Sequence, residues 1–497
     1  MRSSVSAGRN IFRWTWKLAG QINWANLKGS LLFIKTYGFP LFLKEVRRRL
    51  NEDAIELETD QPVCFEILGK NNACLRGDLD FFQSEFALPE TFDPRTSVVI
   101  PTLNGGNDLA LLLPTLRNQT IRNMEVIIVD SGSTDNTLAL AREHGARTIT
   151  IRPEQFSHSY ARNLGAEEAN GDYLLFMTQD ALPPSPSWVC EMLHPMNDDV
   201  AAVSCAESPR GDADLFYRVI SWNHYRFLGV NECDRILRLP GRADYPNLRK
   251  NAQLSNIACL IKAETFMRYK FRNTFAEDLD LGMRLVKDGY KLAFLGTTRI
   301  IHSHNRLPFY HLKRGYVDTI QMRELFSDFP LPRISDADNF AKDILFTSEI
   351  ISSILGKLHN LALPSRTSTL VASVREALLK PGLNSRRRLS ADGFDFKNLD
   401  QDLKSFLDLF YPRLGRGEKR KYTGMLILAI LGFWNVVSEY LENTYEIVDE
   451  YVLPDVRSCL LKGYAAQLGA HMARYSLTED ADQKELSSLD SLLRVGV

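Results

Sequence analysis

Four short runs of β-forming residues, 97–100 (SVVI), 125–129 (EVIIV), 148–151 (TITI) and 173–177 (YLLFM), recur through the middle of the chain with helical patterns between them. Short apolar strands alternating with helices are the signature of βαβ units, whose parallel strands are buried on both faces. Sheets of this kind bind ligands beyond the carboxyl ends of their strands. The expected fold is therefore α/β, with a mostly parallel central sheet. The residues just after each run are the ones to read for chemistry.

Those residues are polar in every case. The first run is followed by PTLNGG, with Pro101 and Asn104, and the second by DSGSTDN, with Asp130, Ser131 and Gly132. A carboxylate at a strand tip can accept a hydrogen bond from a base N–H, and Asp135 or Asn136 is placed to cap the helix that follows. The other reading of this loop is a capped turn with no ligand. The fourth run ends in Thr178, Gln179 and Asp180 ahead of a proline-rich turn.

The segments SVVIPTLNGG, EVIIVDSGSTDNT, FSHSYARNLGAEEANGDYLLFMTQDALPPSPSW and FAEDLDLGMRLVKDGYKL, followed by IIHSHN, stand in the order seen in family-2 glycosyltransferases of the GT-A fold. Within that family the chain most resembles bacterial rhamnosyltransferases of surface-polysaccharide assembly, such as O-antigen or capsule. The resemblance spans residues 96–317 and says little about either flank. It implies that Asp130 contacts the nucleotide base in a pocket lined by Pro101, Asn104, Ser131 and Gly132. It also places Arg162, Asn163, Gln179 and Asp180 in the nucleotide-sugar site, with Gly165 permitting close packing. Arg162 has a second reading, a surface arginine pairing with Glu167 or Glu168.

In the family's common pattern the fourth strand ends in Asp-x-Asp, whereas Thr178 replaces the first acid here and Asp180 stands alone. One carboxylate suffices for Mn²⁺ or Mg²⁺ when the diphosphate and waters supply further oxygens. The resemblance adds a second ligand, His302 or His304. Imidazole favours Mn²⁺ over Mg²⁺ by softness. The HxH spacing alone is equally that of two structural histidines on one face of a strand.

The resemblance also puts the catalytic carboxylate in FAEDLDLGMRL, where Asp278 would be the general base. Glu277 would raise its pKa by like charge or position the acceptor. The acids at 277, 278 and 280 open a helix, and the positive end of the helix dipole is explanation enough for Asp280. Trp188 reads as a core anchor.

The flanks differ in texture. Residues 1–50 carry ten Lys/Arg against Glu45 alone, although the whole chain has a formal net charge of −1. Trp14, Trp16 and Trp24 fall among those basic residues, which suits either an anionic bilayer surface or packing against other helices. The expected division is a helical, basic region at 1–95, the GT-A domain at 96–320 and a helical domain at 321–497. Seven cysteines, scattered and never as CxxC, point to reduced thiols and a cytoplasmic protein, with the inner face of the membrane as a further option. No signal peptide is read, and the longest apolar run, at 424–437, falls short of the ~20 residues a spanning helix needs.

The function expected is inverting transfer of a sugar, rhamnose from dTDP-rhamnose by preference, to a glycan or lipid-linked glycan. The alternatives are a UDP-hexose or N-acetylhexosamine transferase, and a degenerate scaffold that binds nucleotide sugar without turnover. No nucleic-acid partner is expected, because the basic run at 384–390 lacks interleaved aromatics.

Overall fold

A computed structural model of the chain describes residues 93–231, 233–272, 275–331, 337–379, 396, 398–408, 425–477 and 490–494. The basic region expected at 1–95, apart from its last three residues, lies outside them. So do the basic segments around 384–390 and 413–422.

Strands β1 (Thr96–Thr102), β2 (Met124–Asp130), β3 (Arg147–Thr150) and β4 (Tyr173–Met177) pair in parallel in the order β3-β2-β1-β4. Helices α1 (Gly106–Arg117), α2 (Thr137–Glu143) and α3 (His158–Glu167) make the crossovers. After α4 (Trp188–Leu193) come β5 (Val200–Ser208), α5 (Leu215–Leu228), β6 (Arg235–Leu237), α6 (Tyr245–Asn251), β7 (Ala258–Lys262), α7 (Ala263–Tyr269), α8 (Glu277–Lys287) and β8 (Lys291–Ile301). These strands extend the sheet to eight, in the order β3-β2-β1-β4-β7-β5-β8-β6. β7 is antiparallel to both β4 and β5, β8 is parallel to β5, and β6 is antiparallel to β8. Six strands therefore run one way, and only β6 and β7 oppose them.

Alternation along the strands shows why both faces are covered. Val99, Ile127, Leu174 and Phe176 enter one apolar cluster, and Val98, Ile100, Ile128, Leu175 and Met177 enter the other. Each strand thus sends successive side chains into opposite cores. Trp188 is fully buried in the second cluster, as a core anchor should be. Gly165 lets α3 lie directly on β1 and β2, because a Cβ there would collide with the Val99 side chain and meet that of Val129.

Helix α9 (Pro308–Leu325) follows the sheet, and the expected boundary at 320 falls inside it. Beyond it lie α10 (Ala337–His359), β9 (Ser365–Arg366), α11 (Thr367–Leu379), α12 (Gln401–Asp408), α13 (Met425–Thr444), β10 (Ile447–Val448) and α14 (Val452–Ser476). α9 and α14 meet backbone to backbone, since a Cβ on Gly315 would strike the Ala466 carbonyl and one on Gly469 the Leu312 carbonyl. α13 is 20 residues long with a hydropathy of 1.4, so the apolar run at 424–437 extends into a helix that could span a bilayer by length and composition alone. Its Leu426, Ile430, Trp434, Val437 and Leu441 nevertheless form a buried stripe at helical spacing.

Gly165→Ala should lower stability by about 1–3 kcal/mol through overpacking against β1. Urea unfolding of the two proteins measures this, and an unchanged midpoint would contradict the close approach.

Candidate active site

The register of the parallel strands sets Thr102 beside Asp130 and Asp130 beside Thr150, so three strand tips line up at one edge. Asp130 is fully buried there. Its Oδ2 accepts the N–H groups of Gly132 and Ser133, both at 3.0 Å, and its Oδ1 accepts the Ser133 hydroxyl at 2.5 Å and the Thr102 hydroxyl at 3.3 Å. Gly132, at φ 98°, takes the left-handed turn this requires. Ser131 donates its N–H and its hydroxyl to the Thr102 carbonyl, each at 3.0 Å. The carboxylate expected to face a base thus shapes its own loop. Asn136 is the N-cap residue of α2 but makes no side-chain capping bond, and Asp135 accepts the Thr137 N–H instead, at 3.0 Å.

The first loop is stitched to the second. Asn104 adopts φ 47°, and its side-chain oxygen accepts the Thr134 N–H at 2.9 Å while its N–H donates to Ser133 Oγ at 2.8 Å. Pro101 sits opposite Val129 within the ladder. Gln179 ties the tip of β4 to the same loop, accepting the Leu103 N–H at 3.0 Å and donating to Asp108 Oδ2 at 3.2 Å.

Asp180, His302 and His304 converge next to it. His302 Nε2 lies 3.5 Å from Asp180 Oδ1, and His304 Nε2 lies 3.4 Å from Oδ2. One ligand atom from each residue falls within 4.8 Å of the others, a spacing that suits one divalent cation. The second nitrogen of His302, Nδ1, is 2.8 Å from Glu207 Oε2 and 3.0 Å from the Tyr217 hydroxyl. Burial opposes charge on His302, but hydrogen bonds to Asp180 and Glu207 outweigh it and raise the imidazole to about 9. Burial pushes His304 down to about 4. Asp180 is itself partly desolvated, yet its contact with the His302 cation holds it far below the usual carboxylate range. This corner of the site is therefore built to hold positive charge, and the three donors fit a hard or borderline metal ion.

The acid pair opens α8. Ala276 precedes it in the left-handed conformation, φ 51°, an uncommon geometry for a residue with a Cβ and one that occurs at functional sites. Glu277 turns inward, where its Oε1 accepts from Arg162 Nη1 at 2.8 Å and from Asn256 Nδ2 at 2.9 Å. Asp278 is half-buried, and its oxygens accept the N–H groups of Asn256 at 3.1 Å and Leu279 at 2.8 Å. Burial first, and the like charge of Glu277 second, raise the Asp278 carboxyl above the usual carboxylate range. Asp280 pairs with Arg284 at 2.9 Å. The loop before β7 joins this pair to the other cluster, since Asn256 holds Asp278 and the Ile257 carbonyl accepts the Thr178 N–H at 3.4 Å.

Residues 97–268 match the family model for Glycosyl transferase family 2. The chain carries a glycosyltransferase family 2 domain. It is 29% identical over 237 residues to the O-antigen chain rhamnosyltransferase WbaN of Salmonella anatum, covering 46% of this chain and 71% of that protein. It is 27% identical over 233 residues to the O-antigen chain rhamnosyltransferase RfbN of Salmonella typhimurium, covering 45% and 71%. A solved mannosyltransferase, PcManGT from Pyrobaculum calidifontis in complex with GDP-Man and Mn²⁺, aligns with a TM-score of 0.39 at 18% identity, over 61% of this chain and 76% of that one. The family match over residues 97–268 and these relatives support a transferase, and two O-antigen rhamnosyltransferases are among the proteins this stretch is similar to.

Two side chains, Arg162 and Asn163, make contacts other than those expected. Arg162 is buried and paired with Glu277, while its surface partners in the other reading go elsewhere, Glu167 to Lys270 and Glu168 to Arg147. Asn163 spends both ends of its amide on the backbone of Phe271, at 2.9 and 3.0 Å. Glu207, Tyr217 and Asn256 escaped the reading of the sequence. Glu207 had a findable signal, because it stands near the tip of the apolar strand VAAVSCAES as Asp130 stands at the tip of β2.

Arg162→Met leaves Glu277 unpaired in the interior and should cost about 3–5 kcal/mol. Replacing both partners by Met should cost less than the single change. Equal losses in denaturant unfolding would show that the ion pair does not carry the effect.

Proposed function

We propose that this transferase moves a sugar with inversion from a nucleotide-activated donor, L-rhamnose from dTDP-rhamnose by preference, onto a glycan or lipid-linked glycan acceptor of a bacterial surface polysaccharide. The donor and pathway rest on the likeness to the two O-antigen rhamnosyltransferases. The chemistry rests on one observation: a half-buried carboxylate of raised pKa, Asp278, shares a strand-end edge with the Asp180–His302–His304 cluster.

Inverting transfer needs a base on the acceptor hydroxyl, on the face of the sugar opposite the leaving group. Asp278 takes that proton as the acceptor oxygen bonds to C1 and the C1–phosphate oxygen bond breaks, with nucleoside diphosphate departing. No covalent enzyme intermediate is needed. Glu277, paired with Arg162 and held by Asn256, acts on Asp278 through its like charge rather than by touching the acceptor. A divalent ion held by Asp180, His302 and His304 would offset charge on the leaving diphosphate. The loops built around Asp130 and Asn104 offer the walls of the nucleotide pocket. Among the described residues none of the five cysteines is in a disulfide, which supports a cytoplasmic setting where nucleotide sugars are supplied.

A second reading, donor binding without turnover, draws on Thr178 in place of the family's first acid. Asp278→Asn separates the two: it should abolish transfer and leave nucleotide binding nearly intact, and an active variant would remove Asp278 from the role. A base of raised pKa works only above that pKa, so kcat should fall as the pH drops, with its acid limb above the ordinary Asp value of about 4. Calorimetric titration with dTDP, UDP and GDP should show dTDP binding tightest. Tighter UDP or GDP binding would discard the rhamnose donor and keep the enzyme.

A further inference from the structure

His302 is held from behind as well as from the front. Its Nδ1 meets the Glu207 carboxylate at 2.8 Å, on the side of the ring away from Asp180. Glu207 is in turn secured on all sides. Its Oε1 accepts the Tyr225 hydroxyl at 2.8 Å, its Oε2 accepts the Tyr217 hydroxyl, and its own N–H donates to the Tyr225 oxygen at 2.9 Å. Tyr225 is buried, and Tyr217 is fixed at the start of α5 by Asp214, which accepts its N–H at 2.9 Å. The second carboxylate oxygen of Asp214 is bound by Lys462 of α14, itself buried.

We infer that Glu207 is the positioning residue of the metal site: by accepting the Nδ1 proton of His302 it holds the ring so that Nε2, whose own proton a bound ion would displace, faces Asp180 and His304. An imidazole has one acceptor nitrogen when neutral, and the partner of the other nitrogen decides which one that is. A carboxylate behind a ligating histidine both orients the ring and raises its basicity. Glu207 is suited to this because its two oxygens are already saturated by Tyr217, Tyr225 and His302, so the carboxylate cannot swing round to become a ligand. The inference rests on the proposed metal site and adds the residue that makes a lone-carboxylate site workable.

The test is Mn²⁺ binding to the full-length protein, with Mn²⁺ alone as the probe, read by electron paramagnetic resonance, with melting temperature as the control for folding. Glu207→Met keeps the length but removes the acceptor and should weaken Mn²⁺ binding by about 10–100-fold. Glu207→Gln keeps an oxygen to accept from Nδ1 and should bind close to wild type. Tyr217→Phe keeps the ring, removes one hydroxyl from the support and should weaken binding in the same direction, which serves if E207M does not fold. Wild-type affinity in E207M, or in Y217F where E207M is unfolded, overturns the inference, as does equal loss in E207M and E207Q. His302→Ala and Asp180→Ala separate the two levels. If they lose Mn²⁺ while E207M does not, the metal site stands without Glu207, whereas wild-type binding in both removes the metal site and the inference with it.

Discussion

Everything at the strand-end edge of the sheet depends on strand direction. Six of eight strands run the same way, so Thr102, Asp130 and the tips of β4, β5 and β8 reach one edge of the sheet. β7 runs against its neighbours, and that reversal is useful. Its N-terminal loop arrives where the other strands end, which puts Asn256 against Asp278 and Ile257 against Thr178. A fully parallel sheet would have sent that loop to the opposite edge and left the acid pair and the histidine cluster without a common support.

Electrostatics then separates four acids grouped around Arg162 and His302. Glu277 is paired with Arg162 in the interior, while Asp278, half-buried, has its proton affinity raised by burial and by the like charge of Glu277. Asp180 and Glu207 sit either side of His302 and drive the opposite result, a stabilised cation. Carboxylates of the same chemical type thus shift in opposite directions because their surroundings differ. The C-terminal helices belong to this arrangement, since α14 lies backbone to backbone on α9 and its Lys462 reaches the cap of α5.

The strand-and-loop pattern was legible because it is local. Four apolar runs, each followed by polar turn residues, announce a buried parallel sheet and its ligand edge, and the strand boundaries agree to within two residues. The HxH and TQD segments could be joined on paper only through a family resemblance, and the structure does bring Asp180, His302 and His304 together. What the pattern did not carry was the partner of each charge. Arg162 finds Glu277 across 115 positions, and Asn163 clamps Phe271 across 108, contacts that no spacing rule encodes. Glu207 was overlooked for a different reason, because β5 lies beyond the four regularly spaced strands and its tip was not read as they were.

The account stands or falls on turnover at this edge. The measurement to make is nucleoside diphosphate release from dTDP-, UDP- and GDP-sugars in the presence of lipid-linked glycan acceptors, each with Mn²⁺ and with EDTA. Release from dTDP-rhamnose that EDTA stops is the expected result. Binding of nucleotide with no release from any donor, across a full range of acceptors, would contradict it and leave a nucleotide-sugar-binding scaffold in its place.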